Sequence, residues 1–354
     1  MAEITEELIR EALRAVKDPD LNRDIVALGF VQEIRIDGGT VAFKIELTTP
    51  ACPVKDELKA QAEQIVLGLA GVTQVDIEMT AIVRGRALDP QEVIPGVRHI
   101  IAVASGKGGV GKSTISVALA VALAKMGAEV GLLDCDIYGP SIPMMMGISQ
   151  DSEPQITKVG EDLKMSPILA HGVHVMSLGF ILKSDQAVVW RGPMLGKAVR
   201  DMLTGCVWGD LDYLIVDLPP GTGDVPMSLT QLVPISGVVV VTTPQYVAQE
   251  IARKSIAMFR TLSEATKRQI PILGMIENMS GGMFGTGGGE QAAERFDVPF
   301  LGRIPMKETI SLGGDTGYPA VLSGNDTEIG GIFMSLAQNL AAKVSILQYA
   351  SENR

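Results

Sequence analysis

A run of β-branched and small residues, Ile100-Ile101-Ala102-Val103-Ala104-Ser105, leads directly into Gly106-Lys107-Gly108-Gly109-Val110-Gly111-Lys112-Ser113-Thr114, and an apolar-periodic segment follows to Lys125. The order is strand, glycine-rich turn, helix. Gly106 to Ser113 fits G-x-x-x-x-G-K-[ST] at every fixed position. Glycines let successive backbone N–H groups curl around phosphate oxygens where side chains would clash. The helix adds the partial positive charge of its N-terminus. Lys112 is placed to reach β- and γ-phosphates, and the Ser113 hydroxyl to bind Mg²⁺. Gly106, Lys107, Gly108, Gly109, Val110, Gly111, Lys112, Ser113 and Thr114 are the expected phosphate-cradling residues. An ordinary glycine turn before a helix is the plainer alternative.

Composition narrows the partners. The chain has 354 residues, enough for two domains or for one large domain with an appendage. With 46% hydrophobic but only 4% aromatic residues, its core must be mostly aliphatic and Met. A net charge of -11 argues against nucleic acid, since phosphate neutralisation needs clustered Lys and Arg. Met1 to Arg10 is charged and lacks an apolar signal core. The longest apolar stretch, Ile115 to Ala124, is shorter than the roughly 20 residues that span a bilayer. The expectation is a cytoplasmic protein without a membrane or nucleic-acid partner. Its three cysteines, Cys52, Cys135 and Cys206, are far apart and form no C-x-x-C, which argues against a disulfide framework.

Residues 1–83 read as a small separate α/β unit. Thr5 to Lys17 is helix-like, with Thr5 as its cap and Leu8, Ala12, Leu13 and Val16 on one face. Val31 to Ile36 and Thr40 to Leu47 alternate around Asp37-Gly38-Gly39, a hairpin signal. Val54 to Leu69 returns to helical period, and Val72 to Met79 looks like a further strand. Residues 84–97, aperiodic and holding two prolines, read as a linker.

Residues 98–354 alternate strands and helices, which predicts a mostly parallel sheet flanked by helices. Glu129 to Asp134 is its second strand and delivers Asp134-Cys135-Asp136 to the carboxyl end, where open α/β sheets bind ligands. Asp136 is the candidate for positioning or activating an attacking water, with Asp134 near the magnesium shell; both aspartates capping a turn is the alternative. Met144-Met145-Met146 reads as packing or as a soft partner surface. His171 and His174 read as loop and strand residues, not a metal site. Residues 162–188 are hard to read, and Trp190 to Met194 has no assignable role. Asp212 to Asp217 is a buried apolar strand ending in an acid, so Asp217 is expected to hold Mg²⁺ through a water. The Pro/Gly-rich Leu218 to Asp224 that follows is the natural switch. Gly237 to Thr242 and Pro271 to Ile276 are further buried strands, the second ending in Glu277-Asn278-Met279. Gly302 to Pro305 and Gly313 to Pro319 complete the site side, with Pro305 at the nucleotide. Asp326 to Ser345 closes the fold as a helix, followed by a short tail of mixed charge.

These motifs carry resemblances. Gly106-Lys107-Gly108-Gly109-Val110-Gly111-Lys112-Ser113-Thr114, with its early second lysine, resembles the deviant Walker A of the MinD/ParA/ArsA ATPases. That resemblance implies that Lys107 reaches across a nucleotide-sandwich dimer to the partner's phosphates, and that Asn278 contacts adenine; a phosphate contact within one subunit and a simple turn residue are the alternatives. Lys17 to Asp20, Ile25 to Val31 and Leu47 to Pro53 resemble the metal–sulfur cluster biosynthesis domain of the SufT/PaaD type, which implicates Cys52 in iron–sulfur work; a small half-buried turn residue is the alternative. Asp134 to Ser141, Trp190 to Met194, Asp217 to Asp224, Glu277 to Ser280 and Gly313 to Pro319 together resemble the Mrp/ApbC family. What this implies is a P-loop ATPase using ATP and Mg²⁺. It would be a cytosolic homodimer that carries Fe–S clusters, [4Fe–4S] among them, between an assembly scaffold and apo-proteins.

The chain departs from that family at one place. A C-P-x-C-G is expected after Glu-Asn-Met-Ser, but here Ser280 runs through Gly281-Gly282-Met283 into Phe284-Gly285-Thr286-Gly287-Gly288-Gly289. Clusters are held by thiolates, typically four, and glycine offers none. Three rival readings remain. A membrane-positioning ATPase would want a basic amphipathic C-terminus, whereas Ile346 to Arg354 offers only Arg354. A DNA partitioner would want a basic surface. An ATP-switched regulatory or scaffold ATPase that carries no cluster fits the missing cysteines.

Overall fold

The computed structural model describes residues 4–83, 85, 94–137, 139–149, 151–160, 162–180 and 192–352. Two compact units emerge: residues 1–84 together with 341–354, and residues 85–340.

In the first unit Thr5 Oγ1 accepts the Leu8 N–H at 3.3 Å and starts α1 (Glu6–Leu13), which turns Ile9 and Leu13 inward. The helix stops at Leu13 instead of reaching Lys17. Short strands β1 (Lys17–Asp18) and β2 (Arg23–Asp24) pair antiparallel there, and Asp18 Oδ1 takes the Asp20 and Leu21 N–H groups, each at 2.9 Å. Such a local side-chain turn competes with helix. Strands β3 (Val31–Asp37) and β4 (Thr40–Leu47) form the expected hairpin, closed by Gly38 at φ 57°. The period of two along β4 buries Val41, Phe43, Ile45 and Leu47 against α2 (Lys55–Leu67). Strand β5 (Gln74–Ala81) then pairs parallel with β4.

The second unit is built on a sheet of order β10-β11-β7-β12-β6-β13-β14-β15. Strand β6 (Val97–Ser105) feeds the glycine turn and α3 (Lys112–Lys125), which returns to β7 (Val130–Asp134) and short α4 (Ile142–Met145). A hairpin, β8 (Ile156–Val159) with β9 (Asp162–Met165), precedes β10 (Ile168–Ala170) and β11 (Val173–Ser177). Helix α5 (Gly192–Thr204) leads to β12 (Leu211–Asp217), and α6 (Asp224–Leu232) to β13 (Gly237–Thr242). Next come α7 (Tyr246–Thr266), β14 (Ile272–Ser280), α8 (Gly288–Arg295), β15 (Phe300–Pro305) and α9 (Glu308–Thr316). All pairings in this sheet are parallel except β10 with β11. Every residue of β7 and of β13 is buried, the pattern of strands covered on both faces. Register places Asp217 opposite Asp134 on one side and Val103 on the other, so the acids and the glycine turn emerge at one carboxyl edge.

Helix α10 (Glu328–Glu352) outruns the expected end at Ser345, and its residues from Ala341 on belong to the first unit. There Tyr349 packs on the core of Ile9, Leu13 and Phe30, and Arg23 lies 5.8 Å over its ring. By length and composition α10 is the described helix able to cross a bilayer, but Phe333, Leu336, Ala337 and Leu340 are buried within the protein. Trp190 and Arg191 lie outside the described residues.

Candidate nucleotide site

The glycine turn is shaped by what surrounds it. A Cβ on Gly106 would stand 2.4 Å from the Ile251 carbonyl carbon and 2.6 Å from the Ala252 nitrogen, both α7 backbone. Backbone cannot swing away, so Gly106→Ala should displace the turn. We expect a loss of about 1–3 kcal/mol in unfolding free energy together with weakened ADP binding. A denaturant melt of wild type and variant that superimposes would refute this. Gly111 sits at φ 80°, left-handed, and caps the start of α3. Ser105 Oγ donates to the Lys107 carbonyl at 3.0 Å and ties the turn to the end of β6. The Lys107 side chain is half-buried and makes no ion pair among the described residues.

Beneath the turn lies a compact ionic cluster. Lys112 Nζ is 2.7 Å from Asp217 Oδ2, and Ser113 Oγ donates to the same oxygen at 2.7 Å. Ser116 Oγ, one turn further along α3, donates to Asp217 Oδ1 at 2.6 Å. Asp136 Oδ2 stands 3.9 Å from Lys112 Nζ. Asp134 is held in place by donors: the Asp136 N–H to Oδ1 at 3.0 Å and the Ser177 hydroxyl to Oδ2 at 3.0 Å. Burial, and then the neighbouring Asp217, push the Asp134 carboxyl up to about 7. Asp217 is fully buried and Lys112 only 6% exposed, so this lysine compensates carboxylates that water does not reach. Ser113 and Asp217 therefore present hard oxygen donors at one point, with Asp134 opposite Asp217 on the neighbouring strand, a set that suits Mg²⁺. The structure brings together Lys112, Ser113, Asp136 and Asp217, sets Asp134 on the strand beside Asp217, and adds Ser116 and Ser177. Both serines were missed because a lone serine in an apolar run carries no motif.

Beside the cluster opens a cavity of about 600 Å³ lined by Thr114, Met144, Met145, Asn278, Pro305 and Met306 among others. Asn278 is only 5% exposed, and its Nδ2 donates to the Val110 carbonyl at 2.9 Å, bracing the glycine turn. The methionine run divides: Met146 is core, whereas Met144 and Met145 face the cavity. Next to Asn278, the buried Glu277 carboxylate accepts the Gly287 N–H at 3.0 Å and the Gly289 N–H at 2.6 Å, pinning the start of α8. His171 Nε2 lies 3.1 Å from the Gly317 carbonyl oxygen and His174 sits on β11, away from the acids.

Of the cysteines, Cys135 and Cys206 are buried, and Cys52, in the first unit, is half-exposed. Burial, the largest influence, pushes the Cys52 thiol up to about 11, with Asp18 and Asp20 adding to it.

Residues 96–341 match the family model of the NUBPL iron-transfer P-loop NTPases. The chain belongs to that family. Its residues 6–77 match the model of an iron–sulfur cluster assembly protein. The iron–sulfur cluster carrier protein of Synechocystis sp. is 41% identical over 355 residues, covering 97% of this chain and 99% of that one. Among solved structures, the Archaeoglobus fulgidus nucleotide-binding protein in complex with ADP is 36% identical, with a TM-score of 0.53 over 63% of this chain and 88% of that one. The septum site-determining protein MinD of Pyrococcus horikoshii, complexed with Mg-ADP, is 25% identical with a TM-score of 0.50, over 68% and 94% of the two chains. A P-loop NTPase fold with a small α/β region before it is thus common ground between motif, model and relatives.

Proposed function

We propose that this protein is an ATP-hydrolysing iron–sulfur cluster carrier that works as a cytoplasmic homodimer. It would receive clusters from an assembly scaffold and deliver them to apo-proteins. The observation that carries the ATPase half is the Lys112–Asp217–Ser113 cluster beneath the glycine turn, with a base-sized cavity beside it. Residues 97–340 form the engine, 84–96 the linker, and 1–83 with 341–354 a cargo-handling module. The backbone of 106–114 cradles the phosphates, Asn278 and Pro305 bound the base, and Lys112 leaves Asp217 for the β- and γ-phosphates. Asp136, 3.9 Å from Lys112, is positioned to orient a water. That water's oxygen bonds to the γ-phosphorus as the bridging P–O bond breaks, giving ADP and phosphate. Mg²⁺ held by Ser113, Asp217 and Asp134 would supply charge neutralisation at the phosphates. Lys107, which makes no ion pair among the described residues, suits a phosphate of the partner subunit.

The cargo is the harder half. Cys52 is the one cysteine that is not buried, so two copies of it across a dimer, completed by a client or a small thiol, form the cluster site. A thiol held near 11 is protonated at neutral pH, and metal must displace that proton. Loading on Cys52 should therefore strengthen as pH rises from 7 to 9. A second reading, an ATP-switched scaffold without cargo, is favoured by residues 281–289, six of them glycine and none of them cysteine. Anaerobic reconstitution with iron and sulfide, reading Fe and S per chain, separates the two. Stoichiometric cluster lost in Cys52→Ala supports the carrier. No cluster in the wild type, with ATPase intact, supports the scaffold and sinks the carrier.

A further inference from the structure

Within the α3 stretch Ile115 to Leu123, all buried, Ser116 is the one residue that is not Ala, Val, Leu or Ile. Its hydroxyl has two acceptors in range, the Lys112 carbonyl at 3.2 Å and Asp217 Oδ1 at 2.6 Å. The second is the short one, and its acceptor is charged, so it is the stronger bond. The two oxygens of Asp217 are used differently. Oδ2 takes Lys112 and Ser113, and Oδ1 takes Ser116. Both Oδ2 donors are residues whose groups must turn toward phosphate or metal once nucleotide arrives. Ser116 is set back one helical turn and is fully buried.

We propose that Ser116 is a positioning residue that fixes the Asp217 carboxylate for Mg²⁺ after Lys112 has left it. The empty and loaded sites would then share one fixed bond, Ser116 to Oδ1, around which Oδ2 exchanges an ammonium for the metal shell. Without it, Asp217 is a buried carboxylate whose departing lysine leaves it unanchored at the moment its orientation matters. The inference rests on the nucleotide-site reading above and concerns a residue outside the G-x-x-x-x-G-K-[ST] motif.

The test is a magnesium titration of the binding of a fluorescent ADP analogue to the full chain, read by fluorescence and not by turnover. Losing one charge-assisted hydrogen bond should raise the magnesium midpoint of Ser116→Ala about tenfold. Ser116→Thr, which keeps the hydroxyl, should return close to the wild-type midpoint. Ser116→Cys, of similar size but a weak donor, should follow alanine and covers the case in which the extra methyl of threonine is not accommodated. An unchanged midpoint in Ser116→Ala overturns the proposal, as does a cysteine variant that behaves like wild type. A wild type that binds no ADP at any magnesium concentration sinks the nucleotide reading itself. Normal ADP binding with an unmoved midpoint sinks only Ser116.

Discussion

Lys112→Ala should abolish nucleotide binding and also lower the stability of the protein before any nucleotide is added. The first effect follows from removing the one ammonium beneath the glycine turn that can meet the phosphates. The second follows from where that ammonium rests: 2.7 Å from Asp217, with both partners buried. Removing one member of a buried ion pair leaves its partner uncompensated, at a cost of about 3–5 kcal/mol. Ser113 and Ser116 still donate to Asp217, which places the expected loss toward the lower end. Scanning calorimetry without ligand reads the stability, and equilibrium dialysis against ADP reads the binding. An unchanged melting temperature would mean that the lysine does not rest on Asp217 in solution. Retained ADP binding would remove the phosphate role.

Lys107→Ala should do the opposite. Its side chain is half-buried and without an ion pair among the described residues, so stability should barely move. ADP affinity should stay near that of the wild type while turnover falls by about 10³, the low end for a positive charge supplied to a phosphoryl-transfer site from outside. Turnover per chain in the wild type should also climb with protein concentration as dimers form. Unchanged turnover in the variant would remove the trans-lysine role, and turnover independent of concentration would confine Lys107 to its own subunit.

Much of this site was legible before any coordinates because its residue types are imposed by a ligand, not by packing. Phosphate demands the glycines and Lys112 at fixed spacing. An acid at the end of an apolar strand, as at Asp217, is conspicuous because nothing in the core wants it. Ser116 and Ser177 were illegible for the converse reason. Each is a small polar residue whose partner comes from another element, Ser116 of α3 meeting Asp217 of β12 and Ser177 of β11 meeting Asp134 of β7, so only the folded chain brings them together. The β8–β9 hairpin escaped because each strand is four residues long, too short to establish a period, and Ile156 and Leu163 are exposed, 64% and 72%, not turned to a core. The last turns of α10 escaped because Tyr349 answers to the core of residues near the other end of the chain. Helix α1 ended early because Asp18 offers its backbone neighbours a turn that a periodicity count does not see.

The loop between Ser280 and α8 has a consequence for redesign. Gly281, Gly282, Gly285 and Gly287 all adopt positive φ, and a Cβ on any of them would meet nothing within 4 Å. Thiols installed there would encounter open space, and the resistance would come from the backbone: about 1–2 kcal/mol at left-handed Gly287, and about 1–3 kcal/mol at Gly281 and Gly285, whose ψ of -175° and -169° puts them in a region that glycine alone adopts readily. The far wall of the loop is already secured, because Glu277 anchors Gly287 and Gly289 independently of what the intervening side chains are. Cysteines can therefore be written into this surface loop one at a time without displacing a neighbouring side chain.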